Sequence, residues 1–150
     1  MVIHSNRTVL PGGIREAFVT VENGIITAID QTLPERAMPV LVEAGDDILM
    51  PGVVDPHVHI NEPGRTAWEG FETAGKAAIA GGVTMLVDMP LNASPVTTTV
   101  AAFEAKLAAV DNQLQTNIGF WGGLIPGNTH EIEGLIKKGV LSSILLARSP

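Results

Sequence analysis

Chemistry is concentrated in one stretch of this 150-residue chain, Asp55-Pro56-His57-Val58-His59-Ile60-Asn61-Glu62-Pro63-Gly64. His57 and His59 stand two apart near the end of an extended run that begins at Val53-Val54. Residues two apart on a strand share a face, so the two imidazoles project together. Each can give one nitrogen to a divalent cation, and zinc is the natural ion for nitrogen and oxygen donors. Such an ion acidifies a bound water and supplies hydroxide near neutral pH. A His-x-His pair also arises by chance. Here it holds two of the four histidines of the chain and follows an apolar strand, which puts a metal site level with a plain structural role.

The other polar residues read as structural. Asp55 has the parity of the histidines, but an aspartate before proline near a strand start is expected to hydrogen-bond locally. Asp88, at a later strand end, is expected to support structure rather than react. Trp68 and Phe71 are expected in the core and His130 on the solvated surface, and His4 has no identifiable partner.

Composition narrows the function classes. Nine Lys+Arg against sixteen Asp+Glu give a net charge of −7, with no basic stripe, so a nucleic-acid partner is not expected. Aromatic residues make up only 4%, which disfavours base-stacking platforms. Cysteine is absent, so any metal must be held by histidine and carboxylate. The 45% apolar share suits a buried core, and no apolar run approaches the roughly 18 residues of a membrane span. Residues 1–7 lack the charged start and long apolar stretch of a secretory leader. A cytoplasmic protein with no membrane partner is the expectation.

Two rhythms position these residues. Residues 1–50 read as about five short strands, too small a sheet to be stable alone. Ala17–Val21 meets Gly24–Ile29 across Glu22-Asn23-Gly24, and Asn-Gly between β-branched runs is a strong hairpin signal. A proline-punctuated loop, Leu33-Pro34 to Met38-Pro39, precedes strands at Val40-Leu41-Val42 and Ile48-Leu49-Met50. Residues 51–150 alternate strand and helix. Strand centres near residues 55, 85, 118 and 143 lie about 30, 33 and 25 residues apart, the size of a βα unit.

Three helices join these strands. The first carries an apolar stripe of Trp68, Phe71, Gly75, Ala78 and Ile79 and stops at Gly81-Gly82. The second shows Val100, Phe103, Leu107 and Val110 on one face. The third is opened by Asn128 and Glu131 in a capping-box pattern and closes at Gly139 after Lys137-Lys138. The last strand runs from Val140 to Leu146. Such repeats build a doubly wound sheet or an eight-fold barrel. No G-x-G-x-x-G follows a strand, so the nucleotide-binding alternative lacks its fingerprint. The expected fold class is α/β, and if it is a barrel the chain carries four of its eight strands.

Leu49-Met50-Pro51-Gly52-Val53-Val54-Asp55-Pro56-His57-Val58-His59 resembles the opening of the metal-dependent barrel of the amidohydrolase superfamily. Asn61–Thr66, Trp68–Thr73, Ala80-Gly81-Gly82-Val83-Thr84, Asp88-Met89-Pro90-Leu91-Asn92 and Phe120–Asn128 closely resemble the allantoinase family. Dihydroorotases would tend to show Arg-Glu-Pro-Gly after the second histidine and Met-Pro-Asn after the second strand, and dihydropyrimidinases diverge further. The resemblance implies opening of allantoin, a cyclic amide, to allantoate in purine catabolism, by a hydroxide shared between two metal ions, usually zinc. It implies His57 and His59 as metal ligands. Asn61 and Asn92 fall at or near substrate-contacting positions, and intact members are expected to be homo-oligomers, commonly tetramers. The resemblance implies the amino-terminal half of a TIM (β/α)8 barrel, with residues 1–50 as strands of a small β-sandwich completed by a carboxy-terminal segment.

The pattern breaks after Leu141. A carboxylated lysine expected on the fourth strand falls on Ile144, give or take one residue, and Lys137 and Lys138 lie on the preceding helix. The remaining ligands and the proton-shuttling aspartate would lie beyond Pro150, so no catalytic residue is expected within the chain and no competent binuclear centre in it alone. A truncated, alternatively spliced or misread product is the expectation, with exposed sheet edges that favour aggregation. A non-catalytic remnant or interaction module is the alternative, and dihydroorotase or hydantoinase activity is the alternative within the enzyme class.

Overall fold

The computed structural model describes residues 1–34 and 41–146. The loop and strand positions expected between residues 35 and 40 lie outside the described residues. The chain divides into two compact units, Met1–Pro51 and Gly52–Pro150.

The first unit is one five-stranded sheet. Strands β1 (Val2–Leu10), β2 (Gly13–Glu22) and β3 (Ile25–Asp30) pair antiparallel, and β4 (Leu41–Glu43) and β5 (Ile48–Leu49) add parallel to β1. Asn23 and Gly24 take φ of 52° and 78°, the left-handed pair that the predicted two-residue hairpin turn requires. Val2, Ala17 and Val19 are buried, while Ile14, Ile25 and Ile26 are more than half exposed.

His4 has two partners. Its Nδ1 lies 2.6 Å from Glu43 and its Nε2 3.1 Å from Glu16, with the ring stacked on Phe18 at 4.1 Å. The glutamates are 12 and 39 residues away, so strand pairing, not local sequence, creates the contact. Only an imidazolium can donate from both nitrogens. Hydrogen bonding to Glu43, then to Glu16, accordingly raises the His4 pKa above its ordinary 6.5.

The second unit runs β6 (Val53–Val58), α1 (Phe71–Ala80), β7 (Val83–Asp88), α2 (Val100–Val110), β8 (Asn117–Leu124), α3 (Thr129–Lys138) and β9 (Ser142–Leu145). Its strands are parallel and lie side by side in chain order, β6-β7-β8-β9. A doubly wound sheet reverses its order at a switch point; this sheet advances without reversal, as a barrel wall does. The core lies between sheet and helices, with Phe120 of β8 edge-on to Phe71 of α1 and Phe103 of α2 at 6.3 and 5.5 Å. Gly82 (φ 78°) follows the end of α1, and Gly139 (φ 112°) stops α3.

Two local expectations fail for tertiary reasons. Trp68 is 72% exposed, because α1 starts only at Phe71 and helical periodicity does not reach the approach loop. Its ring instead carries the Arg65 guanidinium at 5.2 Å. Asn128 and Glu131 do not form a capping box. Asn128 is buried and sits at φ −107°, ψ 15°, outside the extended cap conformation. Its side chain donates to the carbonyls of Thr98 and Gly123, both at 2.8 Å, and accepts from Ile125 N–H at 2.9 Å. Glu131 reaches across to α2, where it accepts from Val100 N–H at 2.9 Å. Both residues thus tie α2 to the β8–α3 connection.

The His4 contacts carry a pH dependence. A folded pKa raised above 6.5 gives stability that is complete below that value and is lost as pH rises through the folded one. The unfolding midpoint should fall as pH rises above about 6.5 and through the raised His4 value, and His4→Gln should flatten that part of the curve. Equal slopes for parent and variant would remove His4 as the cause.

Candidate metal centre at the strand ends

Backbone pairing of β6 with β7 runs out at Val58↔Asp88, followed by one bond from Met89 N–H to the Val58 carbonyl. The residues that follow are held mostly by side chains. Within the strand, a register irregularity spans Asp55 to Val58, and the Asp55 carboxylate accepts from His57 N–H at 3.1 Å. This is the local role expected of Asp55. From two strands away, Trp121 of β8 donates its indole N–H to the Pro56 carbonyl at 2.9 Å.

The two histidines are neighbours in space, ring centroids 5.3 Å apart and tilted by 59°. His57 is exposed and His59 half-buried, with its Nδ1 buried and without a protein partner. His59 also lines a cavity of about 210 Å³ with Asp55, Glu69 and the small side chains of α1. An unpartnered ring nitrogen beside an exposed imidazole fits a pair of metal ligands. Among the described residues no third His, Cys, Asp or Glu completes a ligand cluster with them. Ile144 lies in β9 beside Gly123 of β8.

Asn61 is buried, its N–H donating to the Glu69 carbonyl at 3.1 Å and its side-chain oxygen left without a partner. Asn92 is exposed, with a left-handed φ of 72°, on the loop after β7. That loop is tied to the one after β6 by a bond from Ser94 N–H to the Pro63 carbonyl at 2.8 Å. The two asparagines therefore occupy adjoining loops at the same end of the sheet as the histidines.

Three residues of this region had no role in the sequence reading. Glu62 is buried and accepts from Phe71 N–H, the first of α1, at 2.9 Å, with Gln113 Nε2 at 3.3 Å on its other oxygen. It supplies the carboxylate that α1 lacks at its glycine N-cap, and a Cβ at Gly70 would stand 2.9 Å from that oxygen. Lys106 is 1% exposed and its Nζ lies 2.5 Å from Asp88 Oδ2, while Asp88 Oδ1 accepts from Ile60 N–H at 2.7 Å. Burial pushes the Asp88 carboxyl above its ordinary range, with Lys106, the Ile60 amide and His59 pulling the other way. A lysine set between Phe103 and Val110 on an apolar helix face was a readable sign of a buried partner. Trp121, a bulky side chain among glycines on β8, left no comparable sign.

Residues 48–144 match the Amidohydrolase family. The chain belongs to that family. The match continues through Ile144, past the point where the motif resemblance breaks. Relatives include the allantoinase of Streptomyces avermitilis, 48% identical over 93% of this chain and 32% of its own length. The allantoinase of Arabidopsis thaliana is 42% identical over 93% and 29%. Among solved structures, an L-hydantoinase (dihydropyrimidinase) from Arthrobacter aurescens superposes with a TM-score of 0.83 at 32% identity, covering 95% of this chain and 32% of that one. The chain thus spans about a third of the length of these relatives. Its fold is that of the amino-terminal part of an amidohydrolase TIM barrel with its β-rich segment.

Removing the Glu62 carboxylate leaves the Phe71 amide without its acceptor. Glu62→Ala should lower stability by about 1–2 kcal/mol and Glu62→Gln by less, as measured by denaturant unfolding. A loss below the error of the measurement would show that water replaces the carboxylate.

Proposed function

We propose that this chain serves a metal-dependent cyclic amidohydrolase that opens the hydantoin ring of allantoin to give allantoate. The observation that carries the reading is the 42–48% identity to proteins named allantoinase across 93% of the chain. The paired histidines supply its chemical rationale. His57 and His59 would hold a divalent cation, zinc by preference for imidazole nitrogen, through one ring nitrogen each. When bound, such a cation supplies an acidified water and a Lewis acid, the two things a poorly electrophilic ring amide needs.

The chain's own residues do the rest of the work assigned to it. Asp55 and Trp121 hold the N–H and the carbonyl of the Pro56–His57 peptide, so the exposed imidazole of His57 is carried on a restrained segment. Asn61 keeps a side-chain oxygen free of protein partners, which a ring N–H can use. Asn92 presents its amide from the neighbouring loop. We assign the proton-moving carboxylate and the other ligands to residues outside this chain, so the 150 residues alone bind metal without turning over allantoin. Residues 1–50 form part of a small sandwich, and the protein acts in the cytoplasm in allantoin degradation.

A chimera tests the substrate assignment. Residues 1–141 of this chain should replace the matching segment of the Streptomyces avermitilis allantoinase and leave allantoin as the preferred substrate. His57→Ala or His59→Ala in the chimera should each lower kcat/KM by at least about a thousandfold. Preference for dihydroorotate or unsubstituted hydantoin would move the reading to a sibling activity, and activity indifferent to both histidines would end it.

A further inference from the structure

We propose that Asp88 and Lys106 form a buried positioning pair for the histidine-bearing strand end. This rests on the reading of His57 and His59 as metal ligands. The last ladder contacts of β6 are made at Val58, so His59 lies just beyond backbone pairing. The next amide, Ile60 N–H, is captured by a side chain instead, at 2.7 Å from Asp88 Oδ1. That N–H lies in the same rigid peptide plane as the His59 carbonyl carbon, so fixing it fixes the ψ of His59 and restrains where its ring points.

Asp88 is itself held. Its other oxygen meets Lys106 Nζ at 2.5 Å, and that ammonium also lies 3.4 Å from the Met89 carbonyl. Asp88 and Lys106 are 0% and 1% exposed, so neither side chain can swing into solvent. The chain of contacts crosses from α2 through the end of β7 to the segment that follows β6. A buried ion pair is a poor source of net stability, because apolar side chains of similar volume often serve as well. Orientation is what an apolar pair would not supply here, since it offers the Ile60 amide no acceptor.

Two double variants of the 150-residue chain separate orientation from stability. Asp88→Asn/Lys106→Met removes both charges but keeps an oxygen for Ile60 N–H; Asp88→Leu/Lys106→Met removes the oxygen as well. Zinc affinity is read by titration, and Ile60 amide exchange is read by NMR on the metal-free chain. The asparagine variant should stay within about threefold of the parent for zinc, and the leucine variant should bind about tenfold or more weakly. Ile60 exchange should accelerate only in the leucine variant, and by more than that variant's loss of global stability accounts for. Parent-like exchange and affinity in the leucine variant would overturn the proposal. If the parent itself fails to bind zinc, the metal reading falls, and Ile60 exchange alone still decides the positioning role. If the leucine variant does not fold, Asp88→Ala/Lys106→Met, which removes the same oxygen with a smaller side chain, takes its place. Unchanged exchange and affinity in that variant would likewise overturn the proposal.

Discussion

The structure of the second unit turns on where the backbone hydrogen bonds of β6 stop. Up to Val58 the strand is specified by its ladder with β7; from His59 onward the chain leaves the sheet and enters a loop that must still be held in place. Three contacts take over in quick succession. Asp88 takes the Ile60 amide, the Glu69 carbonyl takes the Asn61 amide, and Glu62 reaches forward to the first amide of α1. Each costs the desolvation of a polar group, and each is repaid only because its partner is fixed by a different element. A strand end is useful for chemistry because its side chains leave the packed sheet while its backbone stays rigid.

This arrangement explains the unusual density of polar residues between Asp55 and Gly70. Most of them are scaffold. Asp55 and Glu62 spend their carboxylates on backbone amides, while His59 Nδ1 and the side-chain oxygen of Asn61 are buried without protein hydrogen-bond partners. Asp88 shows the same division at the neighbouring strand end, with both oxygens committed. Acidic side chains near a candidate metal site are commonly read as ligands, but the bonds of Asp55, Glu62 and Asp88 to amides and to Lys106 account for these three.

How much of this was legible in the sequence follows from the range of each interaction. The hairpin at Asn23-Gly24, the alternation of strand and helix after Pro51 and the shared location of His57 and His59 are local consequences of chirality and periodicity, so they could be read directly. Asn128 and Glu131 matched a local capping rule, yet both side chains serve α2 and its approach, about thirty residues earlier in the chain. His4 seemed partnerless because its glutamates reach it only through strand pairing. Glu62 and Lys106 belong to the same class, since their partners are set by tertiary packing. Trp68 fell the other way: a helical pattern extended three residues too far placed an exposed ring in the core.

The buried pair also shapes the electrostatics that any cation at His57 and His59 would meet. A lone carboxylate at Asp88, close to His59, would attract a metal ion and compete for it as a ligand. Lys106 prevents both outcomes. It neutralises the charge at 2.5 Å, occupies one oxygen, and leaves the other to a backbone amide, so the pair presents no net charge and no open donor to the site. Pairing with Asp88 keeps the buried ammonium from repelling a cation at the strand ends as strongly as a free lysine would. The support behind His59 is thus neutral and rigid, so what it lends to the proposed cation site is direction rather than charge.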